Sequence, residues 1–268
     1  MSGKTARKQR QAPVRVPPPP PTGPAPRRAS PKVLLAVGAG IVAVAVAIVL
    51  AISLSGGSST PNAPAVGSLT NALPGAAAVQ RMFEGIPQSS NTLGDPNAPV
   101  TMAEYIDLQC PYCAEFESTV LPKILNQYVR NGDVRIEQRM LAFIGPDSVR
   151  GRSAALAAGL QNKQFNFTEL LYMNQGTENT GWLDQRMVVA AGASIPGLKV
   201  PQMLGDAKSS EVLNTAKALD AEAKTAAVSS TPTILVGKTG GKLSTVPLTS
   251  PTDYEAVSAA ITNALAQS

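Results

Sequence analysis

From Val33 to Leu54 the chain is uncharged and almost wholly apolar, interrupted only by Gly38, Gly40 and Ser53. A helix rises about 1.5 Å per residue, so this run is long enough to span a bilayer core of roughly 30 Å. Further on, the apolar period shortens to two. Val100-Thr101-Met102-Ala103-Glu104-Tyr105-Ile106-Asp107 reads as a strand after the turn-like Gly94-Asp95-Pro96-Asn97, with Val100, Met102, Glu104 and Ile106 on one face. The period then becomes helical. Phe116, Val120, Leu121, Ile124, Leu125, Tyr128 and Val129 form a stripe that Asn131-Gly132 ends. A second strand is expected at Val134 to Leu141, parallel to the first through a right-handed β-α-β crossover. Helical patterns follow at about 148–161, 164–174, 181–191 and 209–228, with no convincing strand among them. Strand character returns at Thr233 to Val236, a turn at Gly237 to Gly241 leads to a partner strand at Leu243 to Val246, and a closing helix is expected from Pro251 to Ala266 with Ser250 as its N-cap.

Charge divides the chain. The formal net charge is +5, but residues 1–32 hold eight basic side chains and no acid, which leaves fifteen basic against eighteen acidic residues beyond them. The basic character belongs to a tail and does not describe a nucleic-acid-binding domain. That tail is proline-rich from Pro13 to Pro31, a composition expected to stay disordered or polyproline-II. Basic residues before the apolar run put the N-terminus in the cytoplasm and everything after Leu54 outside. The expectation is a single-pass cell-membrane protein held by its own helix at 33–54. A cleaved signal peptide is the other reading, although its apolar core is usually only about 7–15 residues. Residues 55–78 are rich in Ser, Gly, Pro, Asn and Ala and read as a flexible linker. Residues 79–268 are enough for one sizeable core without structural staples.

Candidate chemistry lies in Cys110-Pro111-Tyr112-Cys113, which contains both cysteines of a chain without histidine. Tetrahedral zinc takes about four ligands from Cys, His or carboxylate, and neither a second cysteine pair nor a histidine exists to complete such a site. A Ser-His-Asp triad or a Cys-His hydrolase is excluded on the same ground. Two thiols at this spacing can make and break a disulfide with each other, and an exported domain sits where disulfides persist. The alternatives are an inert structural disulfide or two buried reduced thiols. Pro111 suits the first turn of a helix, so Cys110 is expected exposed at a helix N-terminus, where the dipole and free N–H groups favour a thiolate. Cys113, one turn on, is expected to face the protein as the resolving thiol, and Tyr112 to face solvent. Glu104 on an apolar strand face is either a buried carboxyl near the thiols or an acid explained by a wet edge or an unseen base.

The order of elements resembles the thioredoxin fold with a helical insertion, and specifically the DsbA-like thiol:disulfide oxidoreductases. The likeness covers residues 79–268, with the insertion at about 146–228. It rests on Gly94 to Val100, Ile106 to Cys113, Gln161 to Gln175, and Ser230-Thr231-Pro232-Thr233. It implies a cis peptide bond at Thr231-Pro232 packed beside the cysteine pair, and an acid six residues before the first cysteine, the position Glu104 occupies. Two departures stand out. Gln109 precedes Cys110 where relatives often carry an acid, and the further cysteine that many relatives have in the inserted helices is absent around Ala158-Gly159. Cys-Pro-Tyr-Cys is also the glutaredoxin motif, but glutaredoxins are small, and here 122 positions separate Cys110 from Pro232.

The resemblance implies an extracytoplasmic oxidase that passes a Cys110–Cys113 disulfide to exported proteins with free thiols. It implies reoxidation by a membrane partner of the DsbB or VKOR type and requires no cofactor and no metal. Reductase or isomerase activity of the same fold, fed by a membrane electron donor, is the alternative within the class. A surface domain whose cysteines merely staple a turn is the alternative outside it.

Overall fold

The computed structural model describes residues 63–267. The basic tail, the apolar run at 33–54 and the first part of the linker lie outside them. Among the described residues no helix is long and apolar enough to cross a membrane.

A six-stranded mixed sheet organises the domain. Its strands are β1 (Gln88–Ser89), β2 (Thr92–Leu93), β3 (Val100–Ile106), β4 (Val134–Met140), β5 (Thr233–Lys238) and β6 (Ser244–Thr245), in the order β1-β2-β4-β3-β5-β6. Central β3 runs parallel to β4 and antiparallel to β5, and all seven of its residues are buried. Burial on both faces explains why Thr101, Ala103 and Tyr105 are as enclosed as Val100, Met102 and Ile106. Ala103 and Tyr105 pack with Leu141, Ala223 and Leu235, and Val100, Met102 and Ile106 join the main core.

The helices flanking the sheet are α1 (Ala76–Met82), α2 (Pro111–Thr119), α3 (Leu121–Ile124), α4 (Pro146–Gly159), α5 (Gln164–Met173), α6 (Gln185–Ala193), α7 (Val200–Asp206), α8 (Ser210–Thr225) and α9 (Tyr254–Leu265). Five of them, α4 to α8, fall between β4 and β5. The expected stripe from Phe116 to Val129 is buried throughout, although its helix is not continuous. Pro122 lacks an N–H, the chain breaks at Val120, and the last turn, Leu125–Val129, widens to π geometry. Gly132, at φ +80, then reverses the chain in the left-handed region.

Three expectations need correction. The linker read at 55–78 is not loose over its described part. Val66 bridges Lys199, Gly67 N–H donates to Leu198 O at 2.8 Å, Leu73 N–H donates to Ser194 Oγ at 2.8 Å, and α1 begins at Ala76. A composition of small polar residues hid this because backbone groups make these contacts. The closing helix starts at Tyr254, capped by Asp253, whose carboxylate accepts from Ala256 N–H at 3.1 Å. Ser250 instead stays in the preceding turn, where its Oγ accepts from Thr252 N–H. Finally, α7 and the β1–β2 hairpin were not anticipated; each strand of that hairpin is two residues long, too short to show a period.

Candidate active site

The register brings three strand ends together. Tyr105 pairs with both Thr233 and Arg139, so the end of β3, the end of β4 and the start of β5 share one edge of the sheet. The chain leaving β3 through Asp107, Leu108 and Gln109 therefore meets the Thr231-Pro232 segment entering β5. The Thr231-Pro232 bond is cis. Cys110 is the N-cap of α2 and Pro111 occupies its first turn. Cys110 Sγ donates to Thr231 O at 3.3 Å, which joins sequence positions 121 apart.

Both cysteines are free thiols. Cys110 is not exposed as expected: the residue is 5% accessible, against 0% for Cys113. The Thr231 segment covers it, while Tyr112 next to it is 60% exposed. The two thiols differ in their electrostatics far more than in access. A hydrogen bond from the Cys113 thiol, helped by Thr231 and by the N–H groups of Tyr112 and Cys113, lowers the Cys110 pKa to about 6 against the opposing effect of burial. Burial, then the neighbouring Cys110, pushes Cys113 well above the ordinary thiol range.

A polar knot fixes the loop before Cys110. The buried Asp107 carboxylate accepts four hydrogen bonds: Gln109 N–H at 2.9 Å and Ser148 Oγ–H at 2.6 Å on Oδ1, and Phe143 N–H at 2.7 Å and Ile144 N–H at 3.1 Å on Oδ2. Gln109 Nε2 donates to Ser148 Oγ at 3.0 Å, and Asn179 N–H donates to Gln109 Oε1 at 2.9 Å. Gln175 Nε2 donates to Leu108 O at 2.8 Å and to Cys110 O at 3.1 Å, and Tyr172 OH donates to Asp107 O at 3.1 Å. Under the loop Gly151 leaves room for Leu108, whose Cδ1 would lie 2.9 Å from a Cβ at that position. The inserted helices thus reach back to hold the cysteine loop from below and behind.

Glu104 is wholly buried, as its parity with Val100 and Met102 indicates. Its partner is neither solvent nor a base but its neighbour on β4: Gln138 Nε2 donates to Glu104 Oε1 at 3.0 Å. Burial raises its pKa to about 8. Two further acids lie in the same core. Glu117 on α2 is inaccessible and Glu169 on α5 is 2% accessible. Burial raises Glu169 to about 7 and lifts Glu117 well above the carboxylate range, with Glu104 and Glu169 adding charge repulsion to the latter. Neither acid was singled out in the sequence, yet Glu117 falls one helical turn after Cys113, on the side of α2 that carries the apolar stripe. Gln138 was legible on the same principle, sharing strand parity with Val134, Ile136 and Met140.

Among the described residues no cluster of His, Cys, Asp or Glu is arranged to hold a metal ion. The sequon-like Asn166-Phe167-Thr168 is not a surface site, since Asn166 is 3% accessible and accepts from Gln88 Nε2 at 2.9 Å.

A family model described as Thioredoxin matches residues 88–263. The "Probable disulfide bond formation protein D" of Bacillus cereus is 29% identical over 127 residues, 46% of this chain and 59% of that protein. The "Disulfide bond formation protein D" of Bacillus subtilis is 34% identical over 96 residues, 34% of this chain and 42% of that protein. The matches thus span less than two thirds of either relative. Among solved structures, oxidised BdbD from Bacillus subtilis superposes with a TM-score of 0.58 at 22% identity, over 68% of this chain and 97% of that one. Wolbachia pipientis alpha-DsbA1 does so with a TM-score of 0.55 at 16% identity, over 69% of this chain and 92% of that one. Both share the fold.

Proposed function

The chain belongs to the thioredoxin family, and from that premise we propose that it is a thiol:disulfide oxidoreductase that introduces disulfides into exported proteins. The observation that carries this reading is the asymmetry of the two thiols: Cys110 is lowered to about 6 at a helix N-terminus while Cys113, one turn away, is raised. An inert staple has no need of that difference. A substrate thiolate attacks Cys110 Sγ, the Cys110–Cys113 bond breaks, and Cys113 leaves. The substrate's second thiol then attacks the mixed disulfide and releases Cys110 as a thiolate. The substrate loses two electrons, and the enzyme's disulfide gains them. Thr231 O and the cis Pro232 segment border the attacked sulfur and offer a backbone edge to an extended substrate, and Glu104 is a buried acid on β3, the strand that leads into the cysteine loop.

The same asymmetry supports the oxidising direction. A stabilised Cys110 thiolate favours the reduced enzyme and makes the disulfide form the stronger oxidant. The names of the Bacillus relatives support formation over reduction. In this reading the run Val33–Leu54 anchors the protein with its catalytic domain outside the cytoplasm, and a membrane partner of the DsbB or VKOR type reoxidises it. The reduction potential tests the proposal. An oxidase should lie near about −120 mV, whereas a value near −270 mV would make the protein a reductase and one below about −300 mV a structural disulfide.

A further inference from the structure

The reactivity of Cys110 depends on how its backbone is turned. The N–H groups that favour its thiolate, those of Tyr112 and Cys113, belong to the first turn of α2. Cys110 itself stands just outside that turn, extended at φ −73° and ψ 117°. Its sulfur stays with those groups only while residue 110 keeps its angle to the helix. Pro111 confines the residue before it to extended backbone, but it has no N–H with which to hold that residue. The angle has to be held from outside α2.

The holding group comes from the inserted helices. Gln175 follows the end of α5, and its Nε2 donates to Leu108 O at 2.8 Å and to Cys110 O at 3.1 Å. A side-chain amide carries two N–H donors, so one Gln serves both carbonyls and closes a clamp around Gln109. Cys110 O also accepts from Ala114 N–H at 3.2 Å, the longer of these two bonds, and Cys110 N–H donates to Asp107 O at 3.0 Å. The clamp is itself fixed. Gln175 N–H donates to Tyr172 O at 3.2 Å, and Asn174 Nδ2 donates to Leu170 O at 2.8 Å. Gly176 lies so close to Trp182 that a Cβ there would stand 2.7 Å from the indole Cγ. By contrast, the Asp107 carboxylate and the Ser148 hydroxyl bond to Gln109, Phe143 and Ile144 and not to Cys110.

We propose that Gln175 is a positioning residue for disulfide exchange: its amide pins the carbonyls on either side of Gln109 and so keeps the Cys110 sulfur against the N–H groups that open α2. The proposal rests on the oxidoreductase reading above and assigns one side chain a part within it. Titratable groups on the elements packed here are Glu104 on β3, Asp107 in the loop, Cys113 and Glu117 on α2, and Tyr172 on α5. Gln175 is neutral, so exchanging it for another neutral side chain alters no charge among them. A change in Cys110 that follows such an exchange therefore comes from geometry. The insertion then takes part in the chemistry, because the amide arrives on chain 65 positions beyond Cys110.

The test is the pH profile of Cys110 alkylation by iodoacetamide in the dithiol form of the full chain in detergent, with the labelled site identified by peptide mapping. Circular dichroism and a guanidinium midpoint accompany each variant. The parent should show a midpoint near 6. Gln175→Met keeps length and neutrality but donates nothing. Its midpoint should rise by about one pH unit, which lowers the thiolate fraction at pH 6 about fivefold. Its reduction potential should become more negative, since a less stable thiolate no longer favours the reduced enzyme. Gln175→Lys donates from Nζ on a slightly longer side chain and should return the midpoint to 6 or below. A Gln175→Met protein that loses stability yet keeps the parent's midpoint overturns the proposal, because Gln175 would then be structural alone. A raised midpoint that Gln175→Lys fails to restore overturns it too, because donation would not be the cause. Should Gln175→Met fail to fold, Gln175→Asn, one methylene short of the two carbonyls, takes its place with the same outcomes. All of these results leave the parent's exchange with dithiothreitol intact, whereas a parent disulfide that does not exchange counts against the oxidoreductase reading.

Discussion

One helical turn separates Cys110 from Cys113, yet their surroundings are opposite in kind. Around Cys110 stand groups that lower its pKa: the Cys113 thiol, Thr231 and two N–H groups at the start of α2. Cys113 is inaccessible and burial raises its pKa, as it does for three buried acids, Glu104, Glu117 and Glu169, that have no ion-pair partner among the described residues. The first region stabilises a negative sulfur, and the second resists one. A dithiol placed across that boundary has one member that ionises and one that keeps its proton, although both are nearly inaccessible.

The largest effect should come from removing the sulfur on the donor side. Cys110→Ser should abolish thiol oxidation, while Cys113→Ser should leave Cys110 able to form mixed disulfides that no internal thiol resolves. Alkylation of the dithiol enzyme followed by peptide mapping checks the assignment: labelling at pH 6 should fall on Cys110, with a midpoint near 6. Preferential labelling of Cys113 would reverse the two regions.

Next in size is the knot that aims the donor side. Asp107→Ala would leave three backbone N–H groups and the Ser148 hydroxyl without their acceptor in a buried site. A loss of stability on the order of 3 kcal/mol is expected, read from the denaturant midpoint. A change within the scatter of surface substitutions would mean that the loop holds itself without Asp107.

These two experiments touch residues of very different legibility. The cysteine pair, Pro111 and Glu104 were readable because their meaning is local: spacing, a helix start, a strand parity. Thr231-Pro232 came only through the family resemblance, since no local rule connects it to Cys110. Asp107 looked like an ordinary end of a strand, and Ser148, Tyr172, Gln175 and Asn179 like ordinary members of the insertion. Their roles depend on chain that returns to the site from 41 to 72 residues beyond Asp107, which no local period encodes. Glu117, like Gln138, was a readable miss. It lies on the buried side of an amphipathic helix, where an acid is as anomalous as Glu104 is on its strand.

A smaller effect separates the two regions by pH. The folded pKa values of Glu104, about 8, and Glu169, about 7, lie above the ordinary 4.5. The folded protein therefore binds more protons than the unfolded chain between those limits, and the stability these acids confer is present below about 4.5 and lost as pH rises through 7 and 8. Cys110 runs the other way. Its folded value near 6 lies below the ordinary 9, so its contribution is present at high pH and lost as pH falls through 6. In the disulfide form the cysteines do not titrate and the acids act alone. Guanidinium midpoints of the disulfide form should therefore fall from pH 5 to 8, and those of the dithiol form should fall less. A disulfide form that gained stability over this window would show that the acids are not buried as acids.

The smallest effect tests whether the donor side has its own internal boundary. Ser148 donates to Asp107 Oδ1 and accepts from Gln109 Nε2, but makes no hydrogen bond to either cysteine. Ser148→Ala removes one of four hydrogen bonds to Asp107 and leaves Gln109 Nε2 without its acceptor, while Gln109 Oε1 keeps Asn179 N–H. About 1 kcal/mol of stability should be lost. The groups that lower the Cys110 pKa are Cys113, Thr231 and the N–H groups of Tyr112 and Cys113, and Ser148 is not among them. The alkylation midpoint should therefore stay near 6 even as the protein becomes easier to unfold. A midpoint displaced by about one pH unit, equivalent to about 1.4 kcal/mol between the two protonation states, would mean that the knot also sets the charge on Cys110. Positioning of the loop and stabilisation of the thiolate would then be one function of one network.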